Sequence, residues 1–373
     1  MFNEVLFDAP VQRSDIAKRT NLTAASVSRI TRQLIDAGLI EEFEHYKTGR
    51  PGRSHVNLRL RHDAGYVAGI SVNAFEQRVA IANLQREVIA DVPLPRDRML
   101  NPKRAAEVAA SYVKDLLKKH RIPRSRLVTV GVASAGVVNS EAGVVIYAPS
   151  IGWTNVPLAR EIEKSLGVPV RMRSMANALA AAEYRFGASS KFHDFIVVHA
   201  TLGIGMGIVS DGQPVRGHRS HAGLIGETRV TDKNGRTTTL NDVAGGAALY
   251  AKWANLKPLS PREVPESLIL ELIEAANSGD RRANAICEDG ATYLANTVTT
   301  LATALDSEAI MLVGPLVRIE TYRKRLESVF RTLMGKEIEI TMSARRGVEA
   351  AYLLAINELA ATGVHLKKLQ KSA

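Results

Sequence analysis

Apolar runs of strand length alternate with amphipathic helical patterns over most of this 373-residue chain, from about residue 62 onward. Short apolar runs predict buried strands, and apolar residues spaced three and four apart predict helices with one buried face. The alternation predicts an α/β architecture whose sheets are covered by helices. Roughly 310 residues exceed one ordinary hydrophobic core, so we expect two lobes with a cleft between them. The predicted strands are GYVAGISV, RVAIANL, LVTVGVA, FIVVHA and AIMLVG, and the predicted helices are AAEVAASYVKDLLKK, VPLAREIEKSL, ANALAAAEYRF and TYRKRLESVFRTLM.

A different pattern occupies residues 14–38, where two helix starts follow each other closely. Ser14 is placed to cap a short helix, and Thr23 is placed to cap a second, longer one. In the second helix Val27, Ile30 and Leu34 recur at helical spacing and predict the buried face. A helix that reads a major groove needs such an apolar stripe, with short polar side chains and arginines on the other face. The predicted DNA-contacting residues of this helix are Thr23, Ser26, Ser28, Arg29, Arg32 and Gln33.

The next segment predicts a two-stranded wing. Apolar and polar residues alternate before residue 61, as in a half-buried strand, and the turn ahead of that strand carries Arg50, Pro51 and Arg53. Arginines on such a tip suit a narrow minor groove or its flanking phosphates. An amphipathic helix with a solvated basic face is the alternative interpretation of the second helix taken alone. Helix, turn, helix and wing in this order favour a DNA-binding winged helix-turn-helix domain over residues 1–61.

Composition and charge agree with this interpretation without proving it. The formal net charge is +11, and a basic protein favours a polyanionic partner such as duplex DNA. The chain has one cysteine, Cys287, which excludes an intrachain disulfide and any metal site with two cysteine ligands. No apolar stretch reaches the roughly 18 residues that a membrane span requires. We therefore expect a cytoplasmic protein with no membrane partner.

Residues 62–373 carry a series of motifs in a fixed order. They are GVASAGVV from Gly131, YAPSIGWTNVPL from Tyr147, Ala176-Asn177-Ala178 with Glu183, Phe186-Gly187-Ala188, LGIGMG from Leu202 and GHRSHAGLIGE from Gly217. The order and spacing of these motifs resemble the ROK family of repressors and sugar kinases. The resemblance implies a winged helix-turn-helix followed by a two-lobed domain of the actin and hexokinase fold, with a C-terminal helix that returns to the first lobe. In ROK repressors this domain senses a sugar or a sugar-transport protein and forms the dimer.

Two departures from the family pattern predict that phosphoryl transfer is lost. A ROK kinase holds ATP phosphates with an Asp-x-Gly-Gly-Thr hairpin, but the matching segment here runs from Ile70 to Phe75 and lacks the aspartate and both glycines. The position of the family's catalytic aspartate is Met175, and a thioether cannot accept a proton from a sugar hydroxyl. We therefore predict that the chain is not an enzyme and has no catalytic residue.

The residues that bind zinc in the family are also replaced in this chain. By resemblance, Glu227 stands where the family has histidine, and a segment from Gly235 to Asn241 replaces the three cysteines. We predict no structural zinc and no other cofactor. Threonine and asparagine hydrogen bonds, with the helix after Asp242, are expected to hold this loop.

The sequence leaves two hypotheses for the cleft. Carboxylates of the family's sugar site are replaced, while Arg173 and Arg219 are new cations beside it. In the first hypothesis the cleft binds an acidic or otherwise modified sugar that pairs with an arginine. In the second hypothesis the cleft binds no ligand. In the second case the domain is only a dimerisation scaffold. Trp153 has its own alternative as a core residue. The candidate effector-binding residues are Trp153, Asn155, Arg173, Asn177, Glu227 and Asn241.

These observations predict a transcription regulator of carbohydrate uptake or metabolism. The family resemblance favours repression over activation. A dimer is expected because one recognition helix reads too few base pairs. The alternative function is a scaffold that binds a protein partner, or acts without an effector, on a sugar-kinase fold that has lost its activity.

Overall fold

The computed structural model describes residues 1–45, 55–335 and 338–362. Its N-terminal part is a three-helix domain with a small antiparallel sheet in the order β1-β3-β2. The predicted wing strands pair from Ile40 opposite Leu60 to His45 opposite His55. The elements are α1 Phe2–Asp8, β1 Val11–Gln12, α2 Arg13–Thr20, α3 Ala24–Asp36, β2 Ile40–His45 and β3 His55–Leu60.

Local chemistry explains where these helices start and end. Asn21 adopts a left-handed conformation (φ 54°) and ends α2, and the Thr23 side chain caps α3 by accepting a hydrogen bond from Ser26 N. The expected cap at Ser14 is wrong. Helix α2 begins at Arg13, so Ser14 lies inside its first turn, and the N-cap residue is Gln12, which makes no side-chain capping hydrogen bond.

The first lobe is built on a five-stranded sheet in the order β6-β5-β4-β7-β11, with a smaller sheet of β8, β9 and β10 beside it. Strands β4, β5 and β6 are antiparallel neighbours, whereas β7 and β11 run parallel to β4. The elements are β4 Tyr66–Val72, β5 Gln77–Asn83, β6 Val88–Pro93, α4 Arg96–Met99, α5 Ala105–Lys119, β7 Leu127–Ser134, β8 Val137–Asn139, β9 Val144–Ala148, β10 Trp153–Val156, α6 Leu158–Leu166 and β11 Val170–Ser174.

The second lobe repeats this topology with the order β14-β13-β12-β17-β18. Again the first three strands are antiparallel neighbours and the last two run parallel to β12. The elements are α7 Met175–Phe186, β12 Phe195–Ala200, β13 Ile204–Ser210, β14 Gln213–Pro214, β15 Arg229–Thr231, β16 Thr237–Thr239, α8 Leu240–Ala244, α9 Gly246–Trp253, α10 Glu266–Asn277, α11 Arg281–Ala304, β17 Ala309–Val313, α12 Glu320–Met334, β18 Glu339–Ser343 and α13 Gly347–Thr362.

The last helix crosses from the second sheet to the first. Glycines let it approach closely, because a Cβ on Gly69 of β4 would lie 2.6 Å from Tyr352 N and one on Gly131 of β7 only 1.8 Å from Ala351 O. One hydrophobic cluster continues from the winged domain through α7 into α13. The small N-terminal domain is therefore packed on the body. Among the described helices, none combines the length and apolar character of a membrane span.

Candidate functional site

Five of the six DNA contacts predicted at α3 are exposed polar side chains. Val27 and Leu34 are buried on the inner face, and Ile30 beside them is half-buried. Thr23 accepts a hydrogen bond from Ser26 N at 3.2 Å and donates one to Ser26 Oγ at 3.0 Å, so these two hydroxyls stabilise the start of the helix. The five exposed residues are Thr23, Ser28, Arg29, Arg32 and Gln33, and Ser26 is half-buried.

The arginines of the winged domain differ in their partners. Arg19 of α2 lies 3.0 Å from an Asp8 carboxylate oxygen, and Arg13 forms an ion pair with Glu42. No carboxylate of the described ranges lies within ion-pair distance of Arg29 or Arg32. Internal ion pairs thus neutralise cations that support the domain, while two cations on α3 stay available for phosphates or base edges.

Two predicted contacts cannot be placed. The wing tip with Arg50 and Arg53 lies outside the described residues. Their contact with DNA remains a prediction.

A cavity of about 390 Å³ lies between the two lobes. Of the six predicted effector residues, it is lined by Glu227 and Asn241. Ser174 and Met175, at the start of α7, form another part of its wall. Its volume falls within the range of small-molecule sites.

The Glu227 carboxylate is held at the cavity wall by Asn241. Asn241 Oδ1 accepts a hydrogen bond from Ile204 N at 2.8 Å, and Asn241 Nδ2 donates one to Glu227 Oε1 at 3.0 Å. Gly226 lets Asn241 approach, since a Cβ there would lie 2.5 Å from the amide nitrogen. The arrangement presents a carboxylate that can accept hydrogen bonds from ligand hydroxyl or amino groups.

Hydrogen bonds hold the loop from Gly235 to Asn241, for which the sequence predicted no zinc. Thr239 and Asp242 form a reciprocal cap at the start of α8, and Thr238 Oγ1 donates to Asp242 Oδ2 at 2.8 Å. Burial alone would raise the pKa of Asp242, but the hydrogen bonds from Thr239 and Thr238 lower it overall. Across the described ranges, no three histidine, cysteine, aspartate or glutamate side chains are grouped to hold a metal ion.

The structure corrects the expectation that Trp153 contacts an effector. Its side chain is 0 % exposed in the core of the first lobe, and its indole nitrogen donates to Leu100 O at 3.0 Å. A buried indole with a satisfied N–H stabilises the fold and has no free surface for a ligand.

Arg173 also has a structural partner. Its guanidinium donates to Glu358 Oε1 at 2.9 Å and is 11 % exposed, so it joins β11 to α13 and does not line the cavity. The expected pairing of Arg173 with an acidic ligand is therefore wrong for this cavity. Arg219 is exposed and does not line it either.

Two asparagines lie away from the cavity wall. Asn155 is exposed, with a φ of 52°, beside a separate depression next to α6. Asn177 is buried in the first turn of α7, and its Oδ1 accepts no hydrogen bond within the described part of the chain. Neither reaches the cavity that Glu227 and Asn241 line.

The hairpin from Ile70 to Phe75, which would hold phosphates in a kinase, has its backbone amides bonded to its own side chain. Asn73 Oδ1 accepts hydrogen bonds from Phe75 N and Glu76 N, both at 2.8 Å. These backbone amides are the groups that a phosphate-binding hairpin offers to its ligand. Asn73 was not singled out from the sequence, because a local side-chain to backbone turn leaves little signal beyond the residue type.

Helix α7 connects the cavity to the winged domain. Met175 and Ala176 at its start line the cavity, while Arg185 and Phe186 at its end contact Phe7 of α1. The Phe7 and Phe186 ring centroids are 5.9 Å apart, and the Arg185 guanidinium carbon is 3.9 Å from the Phe7 centroid. At about 1.5 Å per residue, the helix spans roughly 18 Å.

A buried ion pair holds α7, the helix that forms this connection, in place. The Glu183 side chain, 3 % exposed, accepts from Arg345 Nε at 2.8 Å and from the Ser343 hydroxyl at 2.5 Å. It joins α7 to the segment between β18 and α13. Glu183 was recognised from the sequence as a motif residue, but its partners were not, because they lie at least 160 positions away along the chain.

The two lobes with matching sheet topology, and the cavity between them, are the features that the motif series predicted. A model of the ROK family matches residues 67–353, which is more than half of the chain. The chain belongs to the ROK family. This confirms the resemblance inferred from the motifs and the two-lobed fold class.

The curated relatives of this ROK protein include regulators of sugar genes. It is 26% identical over 301 residues to the xylose repressor of Caldicellulosiruptor bescii, covering 74% of this chain and 72% of that protein. It is 27% identical over 322 residues to the DNA-binding transcriptional dual regulator NagC of Escherichia coli, covering 83% of this chain and 78% of NagC.

Solved structures share the fold. A ROK family transcriptional regulator, described as a homologue of the Escherichia coli Mlc protein, superposes with a TM-score of 0.76 at 22% identity, covering 99% of this chain and 97% of that one. A ROK family glucokinase from Streptomyces griseus gives a TM-score of 0.63 at 22% identity, covering 79% of this chain and 99% of the kinase. The regulator therefore matches almost the whole fold, and the kinase matches a smaller share.

Proposed function

We propose that this ROK protein is a DNA-binding transcription regulator, acting as a repressor of carbohydrate uptake or metabolism genes in the cytoplasm. The observation that carries the proposal is the outer face of α3, where Arg29 and Arg32 are exposed and have no carboxylate partner among the described residues. The names of its relatives, a xylose repressor and NagC, support the carbohydrate assignment.

In this proposal the protein binds DNA as a homodimer. Two recognition helices that read successive major grooves lie roughly 34 to 36 Å apart, so a dimer sees two half-sites about one helical turn apart. The long helices α11 and α12 pack against each other on the second lobe, and we propose that one of them supplies the dimer contact.

Selection of bound genomic fragments with the purified full-length chain tests this function directly. We expect enrichment of a few fragments that share a two-fold symmetric site and lie beside genes for sugar uptake or breakdown. Recovery proportional to fragment abundance, with no common site, would contradict a sequence-specific regulator.

The ROK domain is proposed to bind its ligand without phosphorylating it. We expect no sugar-dependent consumption of ATP above background, because Met175 cannot act as a base and Asn73 occupies the hairpin amides. A coupled ATPase assay with D-glucose and N-acetyl-D-glucosamine measures this, with a ROK glucokinase as the positive control.

A variant makes this test more specific. Met175→Asp restores the carboxylate but leaves the Asn73 turn intact, so we expect it to remain inactive. The non-catalytic role would be contradicted if the wild-type chain consumed ATP in the presence of sugar and Met175→Asp increased that rate.

A further inference from the structure

A second cavity, of about 460 Å³, lies where the winged domain meets the body, and we call it the junction cavity. Its described wall brings together Phe7 of α1, the turn between β5 and β6, the end of α7 and the start of α13. It shares no described lining residue with the cavity between the lobes. Three arginines and one carboxylate, Glu349, are among its described lining residues, so the wall carries an excess of positive charge.

The three arginines differ in how far the fold already satisfies them. Arg345 pairs with Glu349 on the wall and with the buried Glu183 behind it. Even with Glu183 included, three arginines and two glutamates leave a net positive charge. Within the described ranges, Arg86 and Arg185 have neither a carboxylate at ion-pair distance nor a side-chain hydrogen bond. These two guanidiniums are therefore the groups of the wall that can take an anion.

Aromatic rings position both guanidiniums. The Arg185 guanidinium carbon lies 3.9 Å from the Phe7 centroid, and that of Arg86 lies 5.2 Å from the Phe186 centroid. The two rings are 5.9 Å apart, so the two cations lie over one contacting pair of rings. A guanidinium over a ring uses its face for that contact, while its N–H donors lie in its plane and stay free for an anion.

The position of Arg86 is unfavourable without such an anion. Its side chain is half-buried, and removal from water lowers the pKa of its guanidinium, a shift that the charge of Asp8 opposes without reversing. Its backbone is left-handed, with a φ of 73°, which is uncommon for a residue with a long side chain. Gln85 beside it donates a hydrogen bond to Leu60 O of β3, so this turn is attached to the winged domain. A bound anion would offset the desolvation of the cation.

We propose that the junction cavity binds the phosphate group of a small metabolite through Arg86 and Arg185, and that this binding holds the winged domain on the body. A phosphate monoester carries close to two negative charges near neutral pH and presents several acceptor oxygens to the planar donors of arginine. The inference goes beyond the proposed function because it concerns a second site. Its main test uses no DNA, so its failure would leave the regulator function standing.

Isothermal titration of the full chain with sn-glycerol 3-phosphate and with D-glycerate, in phosphate-free buffer of low salt at about pH 7.5, tests the inference. Both probes carry two hydroxyls, and they differ in their anionic group. We expect glycerol 3-phosphate to bind about tenfold more tightly or better, because a dianion gains from both guanidiniums. Bound glycerol 3-phosphate should also slow hydrogen exchange of the α1 amides by about threefold or more, since Phe7 packs against Arg185.

Variants identify the responsible groups. Arg86→Gln combined with Arg185→Gln is expected to weaken glycerol 3-phosphate binding by about tenfold or more. Arg121→Gln combined with Arg160→Gln is the matched control and should bind like the wild type. It removes the same charge from exposed positions of the first lobe, and Arg121 is also left-handed, with a φ of 56°.

A second double variant keeps the test decisive if the glutamine variant does not fold. Arg86→Lys combined with Arg185→Lys retains both charges and loses the planar donor fork. We expect its affinity for glycerol 3-phosphate to lie between those of the wild type and the glutamine variant. Binding as tight as that of the wild type would contradict recognition by the guanidiniums.

Several results would overturn the inference. Absence of heat with glycerol 3-phosphate, or equal binding by the glutamine variant and its control, would leave the two arginines only as cations packed on rings. Unchanged exchange of the α1 amides in the bound state would contradict the role in holding the winged domain.

The DNA backbone is the other source of phosphate groups. If Arg86 and Arg185 contacted DNA, the glutamine variant would lower the slope of log K against log salt for a genomic fragment by about 0.9 for each arginine. That result would assign the two arginines to DNA and overturn the inference. We expect the slope to stay unchanged.

Discussion

Replacing Arg29 and Arg32 together with alanine is expected to weaken binding to a selected genomic fragment by about 100-fold or more. Each arginine that contacts a base edge contributes on the order of 1 to 3 kcal/mol, and two such losses add when the contacts are independent. Both side chains are exposed on α3 and have no ion-pair partner among the described residues, so their loss leaves no buried charge behind.

Fluorescence anisotropy with a labelled duplex at several salt concentrations measures this effect. If one of the two arginines contacts a phosphate, the slope of log K against log salt falls by about 0.9 for that contact. Arg160→Ala combined with Lys164→Ala is the matched control, because this pair removes two exposed charges from α6 on the first lobe. A double variant that binds as tightly as the control would remove the main support for the regulator.

Replacing Phe186 with alanine is expected to uncouple the cavity from DNA binding. Phe186 and Arg185, at the end of α7, contact Phe7 of α1, and the start of the same helix lines the cavity. A rigid helix that contacts both sites is a direct physical connection, and coupling between sites in regulators typically amounts to a 5- to 150-fold change in affinity. We expect the variant to reduce this factor to less than two.

The experiment measures DNA affinity with and without saturating N-acetyl-D-glucosamine, which is also used in the ATP assay, alongside the affinity for each ligand alone. Uncoupling requires that both separate affinities stay close to those of the wild type. Phe192→Ala is the matched control, because it also removes a half-buried ring with a cation over its face, here Lys191 at 4.7 Å. A sugar effect that persists in Phe186→Ala would show that the signal takes another route.

Patterns within one element were readable from the sequence. The spacing of Val27 and Leu34 predicted the buried face of α3 and thereby the exposure of Arg29 and Arg32, since helical periodicity alone decides which residues share a face. The apolar runs likewise predicted β4, β5, β7, β12 and β17, which are five of the ten strands of the two central sheets. Loss of the kinase motifs was equally local, because it depends on residue types at Met175 and in the hairpin.

The sequence by itself therefore determined the winged domain, the ROK body and the absence of a catalytic base at Met175. Only the tertiary structure decided which candidates reach the cavity. Trp153 lies in the core, and Arg173 pairs with Glu358 at a separation of 185 residues. Contacts between distant segments depend on how sheets and helices pack. The type of a residue does not indicate which distant residue it will contact. For the same reason, the route from α7 to α1 became visible only in three dimensions.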